Sequence, residues 1–429
     1  MPGLALLVLS CLAATAGARA STRAKTAVPP PLGGINLPGL GYGSTPAQAD
    51  REVAEASALH ARIVRVELPW GVLQPHGPGE LDAQAAAYTD RLMSDAAARG
   101  IAVIALIDAT PCWASSAPAA LLEACIPGRD DQANGWPPAH PSDFAGIAGL
   151  LAGRYGGKMT ALEVWNEPDQ ANEKYFAGPE KPARYAAVLK AGYTAVKQAD
   201  PRVKVLAGSL VGSNGVFLKL LYANGIKGYY DGIAVHFYTL TLAALRMFRA
   251  VQLANGDTSP LWLDEFGWSS CAPQKIQEEQ SCVTPAVQAQ NISNLYRSLS
   301  HTSYIAAETL FKLNDGGTQF GVLTAQGARK PAYAALANVL VSPFGSPSRI
   351  TLKLRRSGGQ LLASGSGPVG DYMRIEVFQR NTLRYRAIFT LDSANRYALK
   401  LPAALGNRGL RVRVFQEWAG VHGAAQKHT

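Results

Sequence analysis

The sequence predicts an α/β protein: a (β/α)8 TIM barrel followed by a small antiparallel β-sandwich. Eight short apolar runs alternate with helical stretches across residues 34–343, about the length and count that such a barrel needs. Several of the runs are almost continuously apolar, the pattern of parallel strands buried on both faces. Beyond residue 343 the hydrophobic period falls to two and the charge balance changes, which marks a second domain over 344–429.

The elements follow in order. Gly34–Leu37 reads as the first strand, Pro46–Ala61 as a helix and Arg62–Trp70 as the second strand. Asp82 is placed to cap an alanine-rich helix that Gly100 closes, ahead of the apolar strand Ile101–Ile107. The helix Ser142–Tyr155 leads into a fourth strand that ends at Glu167. Helices at Lys181–Ala199, Val216–Tyr222 and Thr241–Leu253 alternate with strands at Val203–Gly208 and Gly232–Tyr238 and a seventh ending at Glu265. Ala286–Ser300, Tyr304–Leu313 and Pro331–Leu340 complete the set. No GxGxxG or P-loop argues for an open nucleotide-binding sheet instead. In the last segment Arg349–Leu354, Met373–Phe378, Leu383–Phe389 and Leu410–Phe415 alternate apolar with cationic residues, as half-buried antiparallel strands do.

The totals exclude several classes. Of 429 residues 48% are hydrophobic, enough for a sizeable core, and no apolar run after residue 20 reaches the roughly 18 residues of a membrane span. Residues 1–20 combine an apolar stretch, Leu4–Leu9, with a small-x-small site at Ala18-Arg19-Ala20. They read as a secretory signal, followed by a linker over 21–33, and imply a secreted or periplasmic protein. Four cysteines then remain, and an even, sparse count in an exported chain favours two disulfides, with Cys112–Cys125 and Cys271–Cys282 preferred among three connectivities. Their spacing and the scattered histidines exclude a metal site, and no cofactor is expected. Lys+Arg and Asp+Glu are equal through residue 343, at 27 each, so the whole +10 charge lies in the last segment. The cations there follow no nucleic-acid motif, so no nucleic-acid partner is expected.

Chemistry is concentrated at two strand ends. Leu162-Glu163-Val164-Trp165-Asn166-Glu167-Pro168 sets an amide beside a carboxyl, and proline stops the strand. Leu261-Trp262-Leu263-Asp264-Glu265 ends a second apolar run in acid. On the strand count these are strands four and seven, and reactive groups in such barrels sit at the strands' C-terminal ends. Two carboxyls so placed suit glycosidic-bond cleavage, in which one protonates the leaving oxygen and the other attacks the sugar.

The ordered set Trp165-Asn166-Glu167-Pro168, His236-Phe237-Tyr238 and Asp264-Glu265-Phe266-Gly267-Trp268 resembles the signatures of clan A retaining glycoside hydrolases. The likeness is closest to family 39 and related bacterial exopolysaccharide endoglycosidases, and covers about residues 34–342. It implies Glu167 as general acid/base and Glu265 as nucleophile. Arg65 is placed to pair with Glu265, or with Glu163 or Glu67, and Tyr238 to donate to the Glu265 carboxylate. Asn166 suits the sugar's 2-hydroxyl. His236 suits the sugar subsite or a satisfied place inside the barrel. Trp70, Trp113 and Trp268 suit stacking on sugar faces, although core packing explains any one of them nearly as well. Asp264 departs from the hydroxyl residue expected before the nucleophile, and Phe311 stands near where relatives place a tryptophan.

The expected protein is an exported endo-acting hydrolase of a β-linked glycan, such as a bacterial exopolysaccharide, with an acidic polymer suited to the basic domain. The alternatives are an exo-acting β-xylosidase-like enzyme and a catalytically silent carbohydrate-binding barrel.

Overall fold

The computed structural model describes residues 30–429 except 130, 173, 213, 239–241, 272–281, 301, 343–348, 368–372, 393–394, 407–408 and 417–424. The expected signal segment, most of the linker and the boundary at 343/344 therefore lie outside the described residues.

Eight parallel strands close into the barrel: β1 Leu32–Asn36, β2 Ile63–Glu67, β3 Ala102–Ile107, β4 Ala161–Val164, β5 Lys204–Leu210, β6 Gly232–His236, β7 Leu261–Glu265 and β8 Ile305–Leu310. They neighbour one another in sequence order, and β1 pairs with β8 to finish the cylinder. β1 begins two residues before the expected start because Leu32 and Gly33 already pair with Ala307 and Glu308. Gly34 permits β1 to lie tight against β2, since a Cβ there would stand 1.7 Å from the Ile63 carbonyl oxygen.

The helices between strands are α1 Pro46–Ala58, α2 Ala83–Ala98, α3 Pro141–Tyr155, α4 Lys181–Ala199, α5 Val216–Ala223, α6 Leu242–Ala254, α7 Pro285–Leu299 and α8 Pro331–Val341. Asp82 caps α2 as expected, accepting from the backbone N–H groups of Gln84 and Ala85 at 3.0 and 2.9 Å. Among the described residues no helix is long and apolar enough to cross a membrane.

The barrel interior is graded along its axis. Ile63, Ile104, Ala161, Leu206, Ala234, Trp262 and Ala307 form a separate buried apolar cluster within it. Two residues further along β2, β4, β6 and β7 stand Arg65, Glu163, His236 and Asp264, all buried. Because side chains alternate along a strand, the same inward row that is apolar near the N-terminal ends becomes ionic toward the mouth.

The C-terminal segment forms two antiparallel sheets. β9 Lys353–Ser357, β10 Gln360–Ser366 and β13 Arg396–Lys400 make one, with β10 central. β12 Thr382–Phe389, β11 Met373–Gln379, β14 Leu410–Gln416 and β15 Ala425–His428 make the other, in that order. Their inner faces share one apolar core that includes Leu361, Ala363, Ile375, Val377, Val412 and Val414, the arrangement of a sandwich. The first of these strands starts four residues after the expected Arg349, because Thr351 is already engaged with Ser366 at the end of β10.

Candidate active site

After β4 the chain turns sharply at Trp165, Asn166 and Glu167. Trp165 and Glu167 take positive φ, +73° and +45°, a conformation that costs a non-glycine residue about 1–3 kcal/mol unless its surroundings impose it. Those surroundings are visible. The Trp165 indole is fully buried between Phe144 and Phe176, and its N–H donates to the Tyr175 carbonyl at 2.5 Å. Asp169 accepts from the backbone N–H groups of Val211 and Gly212, tying this turn to the loop after β5. Glu167, its side chain 10% exposed, is thereby held at the barrel mouth.

Glu265 ends β7 on the same rim. Oxygens of Glu167 and Glu265 lie within 4.8 Å of each other, with His236 Nδ1 within the same distance of both. Arg65 Nη1 donates to Glu265 Oε1 at 2.7 Å, and the Tyr238 hydroxyl donates to Oε2 at 3.0 Å. His236 Nδ1 stands 2.7 Å from Glu167 Oε1 and 3.5 Å from Glu265 Oε2. The other Glu167 oxygen accepts from the Gln170 amide.

Beneath the two carboxyls Arg65 is the hub. Its Nε and Nη2 grip both Glu163 oxygens at 3.0 Å, and Nε lies 3.3 Å from Asp264. Asn36, Asn166 and Ser209 accept from the remaining guanidinium edges at 3.0–3.2 Å. The open alternative for Arg65 is thus resolved toward Glu163 and Glu265 together. Asp264 also receives the Ser209 hydroxyl at 3.0 Å and points into this network, so it is enclosed beneath Glu265 and has no exposure of its own. Ser209 reaches inward because the β5 register shifts between Gly208 and Leu210, with Ser209 itself at φ +59°.

The electrostatics follow from burial and crowding. Burial pushes the Glu163 carboxyl up, with Arg65 pulling against it and Asp264 adding to the rise. Burial alone would lower His236, but Glu265, Asp264 and the bond to Glu167 outweigh it and lift the imidazole to about 9. That direction favours a charged imidazole, which in this state would donate from Nδ1 to Glu167 Oε1. Burial, then Glu265, drives the Tyr238 hydroxyl well above its ordinary range, which keeps it a donor.

Among the described residues, two groupings have the makings of metal sites on distance alone. Glu167, His236 and Glu265 form one, but the Arg65 guanidinium lies 3.5 Å from His236 and 2.7 Å from Glu265, a fixed positive charge that opposes a cation there. Cys112, Cys125 and Asp131 form the other, but the two sulfurs are joined to each other. The disulfides are the preferred pairs, Cys112–Cys125 and Cys271–Cys282.

A cleft of about 1020 Å³ opens over the two carboxyls and is lined by Asn166, Glu167 and Glu265. Its aromatic surface comes from Tyr42, Trp136, Tyr175 and Phe311 rather than from the three tryptophans expected there. Trp70 is fully buried, edge-on to Trp113 and Phe144, with its N–H on Gln74. Trp113 donates to the Gln74 carbonyl, and Trp268 is buried beside Gln288. All three pack behind the cleft wall because a strand-end indole finds more apolar area against the helices than at the mouth. Sequence reasoning singled out Phe311 but missed Gln170, Ser209, Asn36 and the other cleft aromatics, Tyr42, Trp136 and Tyr175. Only Gln170, three residues after Glu167, carried a local signal. Arg129, beyond the first disulfide loop, stacks on Tyr42 at 4.7 Å, joining the rims after β3 and β1.

No protein-family profile and no curated protein matches the sequence. Solved structures do resemble the fold. A family 39 β-xylosidase from Caulobacter crescentus is 16% identical, with 91% of this chain and 97% of that one covered at a TM-score of 0.54. An endo-β-1,4-glucanase from Xanthomonas axonopodis pv. citri is 14% identical over 72% of this chain and 99% of that one, TM-score 0.52. This chain spans 45% of a Bacteroides uniformis β-glucuronidase that it also matches, at 14% identity, 93% coverage of this chain and a TM-score of 0.49. The molecule shares the barrel architecture of family 39 glycoside hydrolases and related enzymes.

Proposed function

We propose that the protein is a retaining glycoside hydrolase that cleaves β-linked glycans by double displacement. The observation that carries this reading is the pair of carboxyls at one rim, with oxygens within 4.8 Å. Retaining enzymes hold their two carboxyl groups about 5–5.5 Å apart, whereas inverting enzymes leave about 6.5–9.5 Å for a water.

Glu265 attacks the anomeric carbon while Glu167 gives its proton to the departing glycosidic oxygen. The resulting glycosyl ester on Glu265 is then cut by a water that surrenders its proton to Glu167. Arg65 and Tyr238 hold one Glu265 oxygen each, which fixes the attacking group. Asn166, on the cleft lining, meets the sugar beside the anomeric centre. His236 bonds Glu167 from below, a bond that strengthens once Glu167 has lost its proton.

The long loops after β3 and β7, each carrying a disulfide, and the roomy cleft support endo action on a polymer such as an exopolysaccharide. The two disulfides support a secreted or periplasmic setting. The test is Glu265→Gln, assayed on aryl β-glycosides and on β-linked polymers by reducing ends and product size. Hydrolysis is expected to vanish with the fold intact. Undiminished turnover, or an inverted product anomer from the unaltered protein by NMR, defeats the assignment.

A further inference from the structure

The outer face of the four-stranded sheet has a composition that the sandwich core does not require. Met373, Ile375, Val377, Val412 and Val414 turn inward and are buried. The alternate positions of β11, β12 and β14 carry Arg374, Arg386, Arg411 and Arg413, with Arg384 at the register shift of β12, against one acid among the described residues, Glu376. Register sets Arg386, Glu376 and Arg413 in one row across three strands.

Glu376, 3% exposed, is held by Arg413 at 2.6 and 2.8 Å, with Arg386 at 3.3 Å and Arg374 at 3.9 Å. Among the described residues, five arginines on these strands thus meet one acid. Two phenylalanines fix the array. Arg411 and Arg413 stack on Phe378 at 4.4 and 4.8 Å, and Arg374 and Arg413 lie over Phe415 at 5.9 and 5.5 Å. Guanidiniums held on rings lose less conformational entropy when an anion arrives. Across strands the charges repeat at about 4.7–4.9 Å, and along a strand at about 6.6 Å.

We propose that this face is a second, non-catalytic binding site for anionic polysaccharide, recognising carboxylates repeated along the chain by the arginine forks. The identity of the occupant rests on the reading that the barrel cuts glycans. Single-stranded nucleic acid is the rival anion, but its binding needs open aromatic faces on which bases stack. Phe378 is covered by two guanidiniums, and Phe415 is 4% exposed.

The test uses the full chain carrying Glu265→Gln, so that no probe is consumed, with polygalacturonate, neutral dextran and single-stranded DNA compared by affinity electrophoresis. Arg384→Gln/Arg386→Gln/Arg411→Gln is expected to weaken polygalacturonate binding by about threefold to a hundredfold, the sum of three exposed charge contacts. Lys353→Gln/Arg355→Gln/Arg356→Gln, which removes equal charge from β9 on the other sheet, is expected to leave binding within about twofold. Undiminished binding in the first variant, equal loss in the second, or DNA bound as tightly as polygalacturonate through the same arginines overturns the proposal. Hydrolysis is read separately by restoring Glu265. Turnover with arginine-independent binding sinks this site alone. Arginine-dependent binding without turnover sinks the barrel reading alone.

Discussion

Replacing Arg65 by methionine tests whether the buried ionic layer is organised as described. The guanidinium lies 3.0, 3.3 and 2.7 Å from Glu163, Asp264 and Glu265. At an effective dielectric of about 20, each contact is worth about 5–6 kcal/mol of attraction before desolvation. Desolvation offsets several kcal/mol per ion, and truncating one partner of a buried pair costs about 3–5 kcal/mol. Arg65→Met is therefore expected to destabilise the protein by about 3–5 kcal/mol at pH 7–8, or roughly 6–20 °C in the barrel's melting temperature. The loss should shrink toward pH 5, because the abandoned acids can relieve their repulsion by taking up protons. Burial already raises Glu163 with Arg65 in place. Arg65→Lys keeps the charge but loses the fork, and should fall between the two. Calorimetry from pH 5 to 8 reads all of this. A loss under about 1 kcal/mol at pH 8, or one that does not vary with pH, refutes the account of Arg65 as the charge that holds three buried acids.

His236 sits at about 9 against an ordinary 6.5, so its stabilisation is complete below about 6.5 and is lost as pH rises through about 9. Activity and melting temperature should fall together across that window, and His236→Asn should remove the coincidence. Gln170→Ala frees one Glu167 oxygen and should lower kcat about ten- to a hundredfold with KM nearly constant, since a hydrogen bond to a charged group contributes about 1.5–3 kcal/mol. A rise in KM at unchanged kcat would instead mark Gln170 as a substrate contact. Cys112→Ser/Cys125→Ser opens a loop of 13-residue separation and should cost about 3 kcal/mol. The same variant should reduce polymer kcat/KM more than that for an aryl glycoside, and equal reductions would show that the loop does not shape the cleft.

The barrel was legible because each strand is an apolar run and each helix has its own boundary signals. Lys181–Ala199 matches the expected helix to the residue, between the turn at Glu180 and the extended Asp200. Glu167 and Glu265 were legible for a related reason, as acids standing where apolar runs stop. β4 nevertheless ends at Val164, three residues before Glu167, since positive φ at Trp165 breaks the ladder where composition continues it. The sandwich strands β10, β13 and β15 escaped notice. Gln360–Ser366 contains Gly365 and three hydroxyl or amide positions, and Ala425–His428 is a polar edge strand with almost no apolar alternation. The cleft aromatics escaped because Tyr42, Trp136 and Tyr175 stand on loops, where no period announces which way a ring faces. Ser209 depends on a register shift, a long-range property that local composition does not encode.

The left-handed backbone at Glu167 has an evolutionary corollary. On the proposed reading Glu167 is kept at φ +45° for its chemistry, where glycine or asparagine would be at ease. Glu167→Gly should therefore recover about 1 kcal/mol of backbone strain while giving up the bonds to His236 and Gln170. A descendant relieved of turnover and kept only for gripping sugar would drift toward such residues once a new partner for His236 had made up for the lost carboxyl.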